Sequence, residues 1–116
     1  MSGGDFMFDN PNTTGDDELL MDHLLDAPQS VVISGLAQGT YTVYTYAWAP
    51  DNATYETEVA VTNSPDPPES CIGAWPGMHV RGVTYAMHTV TIDSTTPDLE
   101  ILFTLISGFS SCNGIQ

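Results

Sequence analysis

The chain has 116 residues, of which 41% are apolar, and its fifteen acidic residues face a single base, Arg81, for a net charge of −14. One domain is the natural size for this length, with enough apolar content for a hydrophobic core. The charge excludes nucleic-acid binding, which needs clustered Lys and Arg against phosphate, and a basic amphipathic membrane helix. No apolar run approaches the roughly 18 residues that span a bilayer.

The acids crowd the start. Residues 1–18 form an acidic arm rich in Gly, Asn, Asp and Thr, and Asp5, Asp9, Asp16, Asp17, Glu18, Asp22 and Asp26 all precede residue 27. Three readings stay open: a solvated arm, an arm neutralised by a cation, or adaptation to high salt. For a cation the hard oxygens of Asp9, Asn10, Asp16, Asp17, Glu18 and Asp22 suit calcium, although the EF-hand pattern is absent. Residues 16–25 predict a short helical turn: Leu20, Leu24 and Leu25 share a helical face, the acids sit at its positive end, and Pro28 stops it. Met-Ser-Gly-Gly-Asp lacks the basic and apolar regions of a signal peptide. A removed leader, a fragment and a non-secreted protein are all compatible with that start.

From residue 30 the pattern turns to β. Residues 30–36 are a β-branched run ending near Gly35, and residues 40–48 read Thr-Tyr-Thr-Val-Tyr-Thr-Tyr-Ala-Trp. Strands are rich in such residues, and the short turn between the runs predicts a hairpin or adjoining strands. Residues 54–62 alternate, with Tyr55, Val59 and Val61 on one face and Glu56 and Glu58 on the other, as in a half-buried antiparallel strand. Residues 63–77 carry Pro65, Pro67, Pro68 and Pro76 and exclude a central strand. Residues 80–92, split near Gly82, and 99–107 complete the set. The fold expected is all-β, an antiparallel β-sandwich or jelly roll in one domain over residues 1–116, with the helical turn near its start.

Cys71 and Cys112 are too far apart in sequence for a CxxC motif. They are expected to form a disulfide, with two free thiols as the alternative; a bridge would close a loop of about 40 residues, worth on the order of 3–4 kcal/mol. Asn12-Thr13-Thr14 and Asn52-Ala53-Thr54 fit the glycosylation acceptor pattern.

Residues 32–46, Val-Ile-Ser-Gly-Leu-Ala-Gln-Gly-Thr-Tyr-Thr-Val-Tyr-Thr-Tyr, carry a Gly-Leu-x-x-Gly-x-Tyr-x-Val pattern. It resembles a hairpin of galactose-binding-like and malectin-like jelly rolls of bacterial surface or secreted proteins. Residues 85–92 with 99–101 resemble the paired strands near the end of such domains, and Asn113-Gly114-Ile115-Gln116 their closing strand. The likeness covers residues 19–116. It implies a domain that binds glycans, accompanies enzymes or builds surface structures, often with a structural calcium ion. The first strands of that pattern are short or missing here, which fits a fragment or strand completion by a neighbouring subunit.

Trp75, His79, Arg81 and Tyr85 combine aromatics, a cation and hydrogen-bond donors near the long loop, the mix a glycan pocket requires; loops at the ends of sandwiches often carry such sites. The plainer reading makes Arg81 an ion-pair staple. Tyr44, Tyr46 and Trp48 share one strand face, as core, interface or sugar-stacking platform. His79 and His88 form no zinc motif. No nucleophile elbow, P-loop or HExxH occurs, so no catalysis is expected. The function expected is a non-catalytic structural or adhesion module at the cell surface or outside the cell. It would associate with itself or with other surface proteins, with carbohydrate binding through the Trp75 loop as the alternative.

Overall fold

In the computed structural model the described residues are 5–7, 23–26, 30–49 and 52–116, the first two stretches as backbone. Ten strands run in chain order: β1 (Asp5–Met7), β2 (His23–Asp26), β3 (Ser30–Ile33), β4 (Gly39–Tyr46), β5 (Glu56–Val61), β6 (Glu69–Cys71), β7 (Tyr85–Ile92), β8 (Leu99–Ser107), β9 (Ser111–Cys112) and β10 (Gly114–Ile115). All strand pairs are antiparallel. They form a four-stranded sheet ordered β3-β8-β5-β6, a three-stranded sheet ordered β10-β4-β7, and a small sheet ordered β1-β2-β9.

Alternation dictates the core. Along β4 and β7 the inward positions pair as Val43 with His88 and Thr45 with Ala86, while Tyr44 meets Met87 and Tyr46 meets Tyr85 on the outer side. In the other sheet Val59, Val61, Leu99, Ile101 and Phe103 are buried. They fall in one hydrophobic cluster with Val43, Ala86, Val90 and Ile92. Each fully buried aliphatic side chain contributes roughly 1.5–3 kcal/mol by leaving water. Two irregularities end this regular packing. A bulge between Glu56 and Thr57 shifts the β5–β8 register, and Gly108, at φ 70°, turns the chain beside Tyr55, whose ring occupies the space a Cβ would need.

Several expectations change. The two runs at 30–36 and 40–48 form no hairpin: β3 pairs with β8 and β4 with β7, in different sheets. Gly35, at φ 79°, makes the turn between them, and Leu36 packs against the core. β7 and β8 likewise lie in different sheets rather than pairing. The predicted helical turn falls mainly on residues outside the described set, but its end, His23–Asp26, is a strand paired with both β1 and β9. Pairing to β9 gives those residues a ladder in place of helical bonds. The Pro-rich stretch contains a strand the sequence did not announce, β6, and it is an edge strand, where proline-flanked segments are tolerated.

Cys71 and Cys112 are separate free thiols, both buried, in place of the expected disulfide. Desolvation pushes Cys71 up to about 12 and Cys112 up to about 11, so both stay protonated and poorly nucleophilic at neutral pH. The native protein is therefore expected to resist a thiol-specific alkylating reagent at pH 7.5, and the denatured protein, with no reductant added, to take up two equivalents. Mass spectrometry of the two samples reads the result; an unlabelled denatured chain would mean that the sulfurs are bonded.

Candidate functional site

The outer face of the β10-β4-β7 sheet carries a continuous row of rings. Its scaffold is the strand alternation that sends Tyr44, Tyr46 and Trp48 to one side of the chain. A long loop, residues 72–84, folds over the end of this face. Gly73, Gly77 and Gly82 supply positive φ angles of 123°, 90° and 84°, which side-chain-bearing residues rarely adopt. The indole Nε1–H of Trp48 donates to the Gly73 carbonyl at 2.9 Å, and the Ile72 N–H donates to the Gly82 carbonyl at 3.2 Å. At the loop's far end the Thr84 hydroxyl accepts from the Val80 N–H at 3.0 Å and lies 3.2 Å from His79 Nδ1.

These ties set the ring order. Trp75 packs on Trp48 with centroids 5.4 Å apart and planes at 47°. His79 meets Trp75 edge-on at 5.4 Å and 83°, and meets Tyr46 edge-on at 5.0 Å and 73°. Tyr85 then lies 5.7 Å from both Tyr46 and Tyr44. Tilted and edge-to-face contacts of this kind contribute about 0.5–1.5 kcal/mol each beyond area burial. Trp48 is buried, whereas Tyr44, Tyr46, Trp75, His79 and Tyr85 are half-buried. Three of the four residues singled out from the sequence, Trp75, His79 and Tyr85, thus belong to one row, with Tyr46 bridging the histidine to Tyr85.

Arg81 leaves that row. Its Nη2 sits 2.6 Å from Glu69 Oε2, and its Nε–H donates to the same carboxylate at 2.8 and 3.0 Å. The ion-pair staple is the arrangement found. Glu69 was not singled out in the sequence, yet it does more than pair with arginine: its Oε1 accepts the Met87 N–H at 2.8 Å. Two residues along β7, the Thr89 N–H donates to Asp66 Oδ2 at 2.6 Å, and the Thr89 carbonyl accepts from Ser64 Oγ at 2.6 Å. Met87 and Thr89 alternate with the residues that face β4, so these groups point off the open side of β7. A segment studded with Pro65, Pro67 and Pro68 cannot supply a ladder, and side-chain oxygens take its place. An edge covered in this manner resists pairing with other strands.

His88 is fully buried, and its Nε2 lies 3.1 Å from the Pro67 carbonyl. A carbonyl only accepts, so Nε2 is the donor in this bond. That bond and the His88 position inside the core separate it from His79 on the outer face. Among the described residues no group of three or more His, Cys, Asp or Glu side chains is placed to hold a metal ion. The calcium ligands expected at Asp9, Asn10, Asp16, Asp17, Glu18 and Asp22 lie outside the described residues. Of the two glycosylation sequons, Asn12 also lies outside them, while Asn52 is exposed and its Oδ1 accepts from Thr54 N–H and Oγ1–H at 2.9 and 2.7 Å. No helix among the described residues is long and apolar enough to cross a membrane.

No protein family, curated protein or solved structure matches this chain at a significant level.

Burial works to raise the Glu69 pKa, but the Arg81 hydrogen bond, the Met87 N–H and the Arg81 charge outweigh it and hold the carboxyl below its ordinary 4.5. A depressed folded value means that the contribution to stability is present above 4.5 and is lost as pH falls through the folded value. Glu69→Gln is expected to lose about 1–2 kcal/mol in urea denaturation at pH 7, the scale of a charge-assisted hydrogen bond. The gap between variant and wild type should close as the pH is lowered below that range; a gap independent of pH would show that charge is not its source.

Proposed function

We propose that this chain is a non-catalytic β-sandwich module of jelly-roll type that acts at the cell surface or outside the cell by associating with copies of itself. The observation that carries the reading is apolar exposure in a chain of charge −14. Val32, Leu102, Leu105 and Ile106 are 54%, 37%, 55% and 50% exposed, and all four lie on the neighbouring strands β3 and β8. Val32 pairs with Glu100, one step along the same face from Leu102. Scattered apolar residues are ordinary on a surface, whereas Val32 and Leu102 adjoin on one outer face and Leu105 and Ile106 carry the exposure on to the far end of β8; such grouping marks a place of contact. β3 is also an edge strand, and no charged residue lies within its four positions.

The charge makes this reading testable. Fourteen net negative charges oppose the approach of two copies, and raising the ionic strength to 1 M shortens the screening length from about 10 Å at 0.1 M to about 3 Å. Light scattering over a range of protein concentrations is expected to show association that strengthens with salt, in calcium and in chelator. A strict monomer under all of these conditions would discard the proposal.

The row of rings favours a second reading, a carbohydrate-binding module centred on Trp75, His79 and Tyr85. Half-buried aromatics in line on an outer sheet face supply apolar area with polar tips, which sugars use. Against it stand the edge-on contacts, which spend ring faces on one another, and the engagement of Arg81 with Glu69. A glycan array is expected to show binding by the wild type that Trp75→Ala loses; absence of binding by both proteins removes this reading.

A further inference from the structure

The two long edges of the β10-β4-β7 sheet are treated differently. The β7 edge is covered by Ser64, Asp66 and Glu69, as described above. Among the described residues the opposite edge is covered only in part. β10 pairs with Thr45 and Tyr46 of β4. One residue further, Gln116 exchanges two backbone hydrogen bonds with Tyr44, at 2.8 and 2.9 Å, and the Asn113 N–H donates to the Tyr46 carbonyl at 2.7 Å. The even-numbered residues of β4 therefore aim their backbone groups away from β7. Thr42 and Thr40 continue that parity, and among the described residues no backbone group meets them on this edge.

Beside this bare stretch lies an apolar groove of about 190 Å³, lined by Ile33, Leu36, Tyr41, Val43, Leu99 and Ile115, with Thr42 and Gln116 at its rim. Apolar cavities of about 150 Å³ accept a benzene-sized guest, so this one admits a side chain. None of these eight side chains is charged, in a molecule of charge −14. Residues 39–43, Gly-Thr-Tyr-Thr-Val, hold neither proline nor charge, the devices that ordinarily blunt an edge.

We propose that this edge pairs with the same edge of a second copy, β4 against β4 about a two-fold axis through Tyr41. This rests on the self-association reading and adds to it a second surface, distinct from the exposed apolar group on β3 and β8. The pairing is self-complementary. Thr42 of each copy faces Thr40 of the other as a hydrogen-bonded pair, giving four backbone bonds, and the two Tyr41 residues meet as the closer, non-bonded pair between them. Each copy thereby adds a strand to the other's sheet and sets Tyr41, whose hydroxyl keeps its bond to its own Ala37 carbonyl at 2.6 Å, beside the other's groove, the isologous arrangement usual in homodimers. A second copy is favoured as occupant because two strongly acidic molecules repel each other least where the facing side chains are uncharged. The groove and residues 39–43 make such a neutral stretch. A lysine-bearing strand from another protein would find no side-chain carboxylate in this lining to pair with.

The test uses the full chain. Sedimentation equilibrium at 1 M salt compares wild type with Thr42→Pro, which deletes the outward N–H while leaving the β7 ladder its bonds. The variant is expected to associate roughly tenfold more weakly or less. Independently of any variant, amide exchange followed by NMR on wild type is expected to slow at Thr40 and Thr42 as concentration rises. If wild type associates while Thr42→Pro does so equally and both amides exchange alike at all concentrations, the β4 edge is not the surface, and self-association stands through another. If wild type never associates, the parent reading falls and takes this one with it. Should Thr42→Pro fail to fold, the wild-type exchange data decide alone.

Discussion

The antiparallel ladder between β4 and β7 is the constraint that organises the rest. Eight consecutive residue pairs, Gly39 with Ile92 through Tyr46 with Tyr85, lock the two strands in a single register. A slip of one residue would exchange Val43 and Thr45 for Tyr44 and Tyr46 on the inward face. With the register held, valine and alanine meet the other sheet, rings line the outside, and the remaining backbone groups are thrown to two opposite edges. The core, the aromatic row and the two sheet edges are three consequences of one alternation.

The acidic character also acquires a structural use. Asp66 and Glu69 are not merely solvated charges, because each takes a backbone N–H of β7, and Glu69 holds the single arginine as well. A proline-rich connection cannot make a ladder but can present carboxylates at the right spacing. Bonds from ionised acceptors are stronger than neutral ones, so a few residues cover an edge that would otherwise need a further strand. The two sides of the sheet differ in this respect among the described residues.

Much of the fold was legible in the residues themselves. The run at 40–48 and the alternation at 54–62 and 99–107 announced β4, β5 and β8, because period-two burial leaves its mark on sequence whenever one face is wet. What failed to register were features set by distant partners. Nothing local tells β3 to join β8 rather than β4; that depends on how layers stack. β6 is three residues long and hidden among prolines, and the strand at His23–Asp26 exists through its pairing with β1 and β9. The candidate site divides in the same manner. Trp75, His79 and Tyr85 drew notice as chemistry-bearing residues near a glycine-rich loop, and the loop does carry the first two onto the ring row. The bond between Arg81 and Glu69 spans β6 and the loop, and only tertiary structure could disclose that Glu69 occupies it. Cys71 and Cys112 suggested a cross-link because the composition resembles that of an extracellular protein, whereas burial in a common core needs no bond between them.

Asn113 sits where the chain passes from β9 in the small sheet to β10 in the three-stranded one. Its N–H reaches the Tyr46 carbonyl and its Oδ1 accepts the Trp48 N–H at 2.8 Å. A single amide residue thus rivets the N-terminal ribbon to the end of the aromatic row. Strain that reaches β9 through its pairing with β2 is passed, by one side chain, to the peptide that carries the buried Trp48 indole.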